Sequence, residues 1–159
     1  MKRSIEVIAG LVAAVVLQTL IGKISPSLLL LFNPFTWAVL YSGLIRQEIF
    51  GAVMGTACGL LQDSLSLGVF GVSGLTKTLL GFATGYISRK INVVSPRRAF
   101  VFVLVMAAAE LALWKFLVHV LFGEKWSAGG GLFFLQPLMT AVVVTGLYRF
   151  KRTSRAGMP

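Results

Sequence analysis

Residues 51–85 read GAVMGTACGLLQDSLSLGVFGVSGLTKTLLGFATG, and this stretch decides the fold. It is too apolar for a soluble loop, yet it contains an aspartate and a lysine without neighbouring charges. Residues four apart lie on one ridge of a helix. One such ridge consists of Gly51, Gly55, Gly59 and Asp63. A second consists of Ser73, Lys77, Gly81 and Gly85. The pattern predicts a membrane helical hairpin with two small-residue faces, each carrying one charge.

The composition of the whole chain supports this assignment. Hydrophobic residues make up 57% of the 159 residues, charged residues 13%, and the mean hydropathy is +0.87. A soluble domain has about 45–50% apolar and about 25% charged residues. So few ionisable groups could not cover a soluble surface. We therefore predict an all-α polytopic membrane protein, folded as a single domain over residues 1–159.

Several functional classes are excluded by the residues that the chain lacks. The net charge of +10 would suggest nucleic acid in a soluble protein, but here the charges form short clusters between apolar runs. One cysteine, Cys58, and one histidine, His119, provide neither a disulfide within the chain nor a zinc site. There is no glycine-rich phosphate loop and no catalytic constellation. We expect no enzyme, no cofactor, no metal and no nucleic-acid partner.

Six segments are long enough to cross a hydrocarbon core of about 30 Å, which takes about 17–25 helical residues. They cover residues 5–22, 27–44, 48–65, 69–88, 99–122 and 130–148. The connections carry helix breakers: Ser25-Pro26, Ser95-Pro96 and the Gly129–Gly131 run. The first segment also resembles a signal peptide, but it is long and lacks a small-x-small cleavage site before Lys23. An uncleaved first helix is the better interpretation.

Basic residues predict the orientation of these spans, because cytoplasmic loops carry an excess of lysine and arginine. With six spans, eleven of the fifteen basic residues lie on the side of the termini, and two, Lys23 and Lys125, lie on the other. Both termini are therefore predicted to be cytoplasmic. The basic tail, residues 149–159, either contacts anionic lipid head groups or only enforces this orientation.

Four charges fall within the predicted spans, where each costs at least about 2.5–3.5 kcal/mol at the bilayer centre. They are Asp63, Lys77, Glu110 and Lys115. The preferred pair is Asp63 with Lys77. Five residues rotate a helix by about 140°, so Glu110 and Lys115 are not a same-face pair, and Glu110 takes a partner from another span, Lys77 included. The set either lines a cavity for a substrate or protons, or fixes helix packing; we favour the packing role.

The glycine ridges and two prolines predict how the helices meet. Small residues at this spacing allow close backbone packing in lipid. We expect the fourth span to close the hairpin, with part of the Gly51–Gly59 ridge left available for docking. Asn33-Pro34 is predicted to interrupt the second span and Gln136-Pro137 the sixth, because proline removes a backbone donor.

The hairpin also carries a family resemblance. The run GLLQD at 59–63, followed by SLS at 64–66, Gly68, Gly71 and KTLLGF at 77–82, resembles the signature region of the rod shape-determining protein MreD family. The length, the short basic N-terminus and the basic tail also fit that family. The resemblance marks four positions of this sequence as the most important, namely Gln62, Asp63, Gly71 and Gly81.

The resemblance implies a role that composition does not show. MreD-like proteins sit in the bacterial inner membrane with MreC, and together they help to link MreB filaments to peptidoglycan synthesis in the elongation complex. The implied partners are MreC, in a possible higher-order assembly, MreB and membrane lipids. The implied fold is similar to that of the six-helix substrate-binding subunits of energy-coupling factor transporters. The alternative function is thus a small-solute-binding subunit of such a transporter.

Overall fold

A computed structural model describes residues 2–46, 48–65, 71–91, 93, 95–123 and 135–156. Within these ranges the regular elements are helices and no strand occurs, which confirms the predicted all-α class. The helices are α1 (Lys2–Ile24), α2 (Pro26–Leu31), α3 (Pro34–Arg46), α4 (Glu48–Leu65), α5 (Val72–Lys90), α6 (Pro96–Phe122) and α7 (Gln136–Ala156).

The segment predicted as the second span is two helices, because the chain breaks between Leu31 and Pro34. Phe32 has an extended backbone with φ −115° and ψ 106°. Asn33 caps the next helix: its side-chain oxygen accepts a hydrogen bond from the backbone N–H of Thr36 at 3.3 Å. Pro34 then occupies the first helical position, where no N–H is needed. The expected interruption is confirmed, as a full break between α2 and α3.

The second predicted interruption, at Gln136-Pro137, has a different form. The described helix α7 begins at Gln136, so Pro137 lies in its first turn and removes no hydrogen bond within α7. The first part of the predicted sixth span, residues 130–134, lies outside the described residues. So do Gly68, Lys125 and the Gly129–Gly131 run. At the other end α7 continues as a helix to Ala156, through most of the predicted basic tail.

The helices pack around α3 and α5. α4 and α5 form the most extensive contact, α3 packs against both of them, and α6 lies between α5 and α7. The core beneath these contacts contains fully buried side chains from α3, α4, α6 and α7, including Phe35, Val39, Cys58, Val103 and Val144. α1 packs on α2 and α3 at the edge of the bundle.

The distribution of polar and apolar side chains is the reverse of that in a soluble protein. Lys77 and Glu110 are only 2% and 7% exposed, whereas Ile49 and Phe116 are 74% and 62% exposed. Exposed large apolar side chains occur along α1, α4, α5, α6 and α7. Such extensive apolar exposure marks a surface that is covered by lipid or by another protein.

By length and composition, one helix in the described part of the chain suffices to cross a membrane. It covers Arg97–Leu121 within α6 and contains an 18-residue stretch with a mean hydropathy of 2.1. The apolar helix Ile8–Ile24 is shorter. The break at Phe32 and Asn33 leaves α2 and α3 with 6 and 13 residues, so neither reaches spanning length alone.

Candidate functional site

The glycine ridges of α4 and α5 face each other across the hairpin. A methyl group on Gly55 would overlap the carbonyl oxygen of Lys77, and one on Gly51 would overlap that of Gly81. At the third level, a methyl group on Gly59 would overlap the carbonyl oxygen of Ser73. The order of these contacts shows that the helices are antiparallel and that their backbones touch.

This arrangement corrects the expected docking surface. Gly51, Gly55 and Gly59 are all buried against α5, so no part of that ridge is available to a partner helix. Gly81 is buried against Gly51 and approached by Val39 of α3, and Gly85 is buried one turn further along α5. The physical reason is steric. Two helix backbones can approach this closely only if both helices have small residues at the contact, and α5 has them.

Asp63, at the end of the α4 ridge, caps the N-terminus of α5. Its Oδ2 accepts hydrogen bonds from the backbone N–H groups of Gly71 at 2.8 Å and Gly74 at 3.2 Å. Its Oδ1 accepts one from the N–H of Ser73 at 3.3 Å. The first N–H groups of a helix have no partner within it, and a negative charge near them is favourable. Asp63 therefore provides from α4 the cap that α5 lacks.

Gly71 explains why the cap comes from another helix. It occupies the N-cap position of α5 with φ +98°, a conformation that favours glycine, and it has no side chain that could accept a hydrogen bond. Next to Asp63, Gln62 Oε1 accepts a hydrogen bond from Asn33 Nδ2 at 3.2 Å. Gln62 thus ties the end of α4 to the break between α2 and α3.

Loss of this cap gives the first prediction. Replacing Asp63 by alanine leaves three N–H groups without their acceptor, and the loss of a helix N-cap costs about 0.5–2 kcal/mol. We expect a destabilisation of about 2 kcal/mol, and a smaller one for Asp63→Asn. A thiol-reactive dye measures it, because the chain's only cysteine, Cys58, is buried and reacts on unfolding. Ser64→Ala, on the neighbouring exposed residue, is the control; an equal loss in both variants would contradict the capping role.

A buried polar cluster lies further along α5. Lys77 Nζ forms an ion pair with Glu110 Oε1 and donates a hydrogen bond to Thr36 Oγ1 at 2.7 Å. The Thr36 hydroxyl in turn donates to Glu110 Oε1 at 3.0 Å. The three side chains come from α5, α6 and α3, and Thr36 is only 1% exposed. The cluster fastens three helices at one point of the core.

The expected pair of Asp63 with Lys77 is therefore wrong. In the structure Lys77 pairs with Glu110. This agrees with the prediction that Glu110 takes a partner from another segment, Lys77 included. Asp63 instead binds backbone N–H groups at the start of α5. Lys115 is half-buried on α6 and does not take part in the hydrogen bonds between Thr36, Lys77 and Glu110. Of the predicted intramembrane charges, the structure thus brings Lys77 and Glu110 together.

The chain was compared with known protein families, curated proteins and solved structures. A family model described as rod shape-determining protein MreD matches residues 4–149, which is most of the chain. The chain belongs to the MreD family. MreD is a family of membrane-associated, shape-determining proteins, and it is not known as an enzyme family. No curated protein and no solved structure matches the chain. The resemblance that residues 59–82 carried is confirmed.

The MreD match also covers two residues at the start of α3 that belong to the site. Thr36 and Asn33, which sequence reasoning did not select as site residues, lie within it. Thr36 is a neutral residue in an apolar segment, and threonine in such a segment commonly bonds its own backbone. The available signal was its position three residues after Asn33, which places it in the first turn of a helix that restarts after the Asn33-Pro34 break.

Proposed function

We propose that this MreD-family protein is a non-enzymatic scaffold of the bacterial elongation machinery. It binds MreC in the inner membrane and connects MreB filaments with peptidoglycan synthesis. The observation that supports a scaffold is the use of its polar groups: Asp63 caps α5, and Lys77 and Glu110 bind each other. These charges stabilise the bundle and are not presented to a solute.

The proposed topology has six spans, with α2 and α3 together forming the second. α1, α4 and α6 run outward, and the others run inward. This places Arg46, Arg89, Arg98 and Arg149, at the ends of α3, α5, α6 and α7, on the cytoplasmic side with both termini. Lys23, in the last turn of α1, lies on the opposite side. Reporter fusions after residues 23, 46 and 156 test the alternation directly.

The partner helix docks, in this proposal, on an exposed apolar face and not on the glycine ridge. The ridge is closed by α5, whereas α1 and α6 expose large apolar side chains along their lengths, such as Val12, Leu20, Val105 and Phe116. A cysteine in place of Val105 is therefore expected to crosslink to a partner helix. A cysteine in place of Gly51 is expected to reach only α5.

Complementation tests the function itself. Expression of the chain in a rod-shaped bacterium depleted of its own MreD is expected to restore rods, and mild purification is expected to co-isolate a single-span partner with a large external domain. The Lys23→Gln variant, altered at an exposed helix end, is the control and should behave like the unchanged protein. Round cells despite normal accumulation, or a vitamin tightly bound to the purified protein, would contradict the scaffold and favour a solute-binding subunit.

A further inference from the structure

The side of α5 that faces away from the bundle carries a stripe of five side chains, and none of the described helices covers it. The five residues are spaced three or four positions apart. They are Leu75, Leu79, Phe82, Tyr86 and Lys90. Because a helix turns by 100° per residue, this spacing places all five on one side of α5. The stripe changes from aliphatic to aromatic to basic along its length.

The aromatic and basic end of the stripe has a defined geometry. The rings of Phe82 and Tyr86 are stacked, with centroids 6.2 Å apart and an interplanar angle of 7°. Lys90 Nζ lies 4.5 Å from the centroid of the Tyr86 ring, which is cation–π distance. The ammonium group is thereby held beside the end of the apolar stripe.

Lys90 has no carboxylate partner in the part of the chain that the structure describes. The three acidic side chains described there are each bound elsewhere. Glu48 pairs with Arg89 at 2.6 Å, Asp63 caps α5, and Glu110 pairs with Lys77. The last turn of α5 therefore exposes a cation next to aromatic rings, where an anion from outside these residues can bind it.

The position of the stripe along α5 fits the cytoplasmic leaflet. The 19 residues of α5 rise about 28 Å, at 1.5 Å per residue, which is close to the hydrocarbon thickness of about 30 Å. Under the topology proposed above, on which this inference rests, Lys90 lies at the cytoplasmic surface. Tyr86 and Phe82 then lie within the cytoplasmic leaflet, Leu79 lies near the middle of the bilayer, and Leu75 lies beyond it.

We propose that this stripe is a binding site for an anionic phospholipid of the cytoplasmic leaflet. The phosphate-bearing head group binds the Lys90 ammonium, and the Tyr86 ring and hydroxyl lie at the level of the glycerol. An acyl chain lies along Phe82 and Leu79. The cation favours an anionic head group over that of a neutral lipid. The apolar stripe favours a molecule with an acyl chain over a free anion.

Native mass spectrometry of the full-length protein tests the site. The probes are phosphatidylglycerol and phosphatidylcholine with identical acyl chains. Because one basic residue near a membrane surface contributes about 1 kcal/mol of attraction, we expect the protein to retain phosphatidylglycerol about fivefold better. Lys90→Gln is expected to abolish that preference, and Tyr86→Leu to reduce it. Lys23→Gln, with the same change of charge at an exposed end of α1, should retain it.

Each opposite result overturns the site. If Lys90→Gln or Tyr86→Leu left the preference for phosphatidylglycerol unchanged, that residue would not bind the lipid. If Lys23→Gln lost the preference to the same extent, the net charge of the protein and not a site at Lys90 would explain it. The Cys58 dye assay confirms that each variant is folded. A photo-crosslinking residue in place of Leu79 is expected to label phospholipid; labelling of a protein there would assign the stripe to a partner and overturn the lipid site.

The lipid site and the scaffold can fail separately. Lipid retention is measured on the purified chain without any partner, whereas the scaffold is tested by cell shape and partner capture. A protein that restores rods but has no lipid preference overturns only the site. One that prefers phosphatidylglycerol but leaves cells round overturns only the scaffold, and the reporter after residue 46 tests the shared topology.

Discussion

Replacing Lys77 by methionine is expected to destabilise the protein by about 3–5 kcal/mol. The substitution removes one partner of a buried ion pair and leaves the Glu110 carboxylate, 7% exposed, without its cation. The hydroxyl of Thr36 remains as a hydrogen-bond donor to it. A lower unfolding temperature, detected by the reaction of Cys58 with a thiol-reactive dye, measures the loss. Lys23→Met, at an exposed helix end, is the control and should change stability little.

The double variant Lys77→Met with Glu110→Gln separates the pair from the packing of the two side chains. Neither residue then carries a charge, and the amide at 110 still accepts the hydrogen bond from Thr36. Replacing a buried ion pair by neutral groups of similar volume is often tolerated, whereas breaking it is not. We expect the double variant to be more stable than Lys77→Met alone. If the two substitutions instead lower stability additively, the ion pair is not what Lys77 contributes.

This cluster also shows how far the sequence could predict the site. Hydropathy alone predicts that Lys77 and Glu110 lie within apolar segments and that each needs a partner. Which carboxylate meets Lys77 does not follow, because it depends on the rotation of α5 about its axis and on the packing of α6 beside it. Asp63, near Lys77 in the sequence of the hairpin, was the more obvious partner.

The role of Asp63 was hidden for a different reason. Its partners are backbone N–H groups of Gly71, Ser73 and Gly74, which every sequence has at every residue except proline. Side-chain patterns therefore cannot indicate them. What the sequence does show is a glycine at the start of α5, and hence a helix without its own capping side chain. That observation would have directed attention to an acceptor on a neighbouring element.

The fold of the hairpin was easier to predict from the sequence, because small residues recur at multiples of four positions along both helices. The four-residue spacing of small residues predicted the two ridges, and the structure places them in contact. The sequence did not show that the contact uses the whole of the Gly51–Gly59 ridge. A ridge of glycines is equally suited to a helix of the same chain or of a partner, and only the three-dimensional path of α5 decides between them.

Substitution of Gly55 by alanine is expected to have the second large effect. The added methyl group would overlap the carbonyl oxygen of Lys77 and lie 2.8 Å from the Cα of Thr78, both of them backbone atoms that cannot rotate away. α4 and α5 must then separate, which weakens the contacts of the whole hairpin. Overpacking of this kind costs about 1–3 kcal/mol and occasionally more; we expect about 3 kcal/mol, measured with the Cys58 dye.

Gly146→Ala provides the matched control, because the chemical change is the same and the surroundings differ. Gly146 lies in α7 and is exposed, and outside the adjoining backbone of α7 no atom of the described residues lies within 4 Å of the position that the methyl group would take. Alanine is favoured over glycine in a helix by about 1 kcal/mol. Gly146→Ala should therefore be neutral or slightly stabilising, while Gly55→Ala is destabilising. If both variants shifted stability in the same direction by similar amounts, helix propensity and not backbone contact would govern the glycines, and the close approach of α4 and α5 would be refuted.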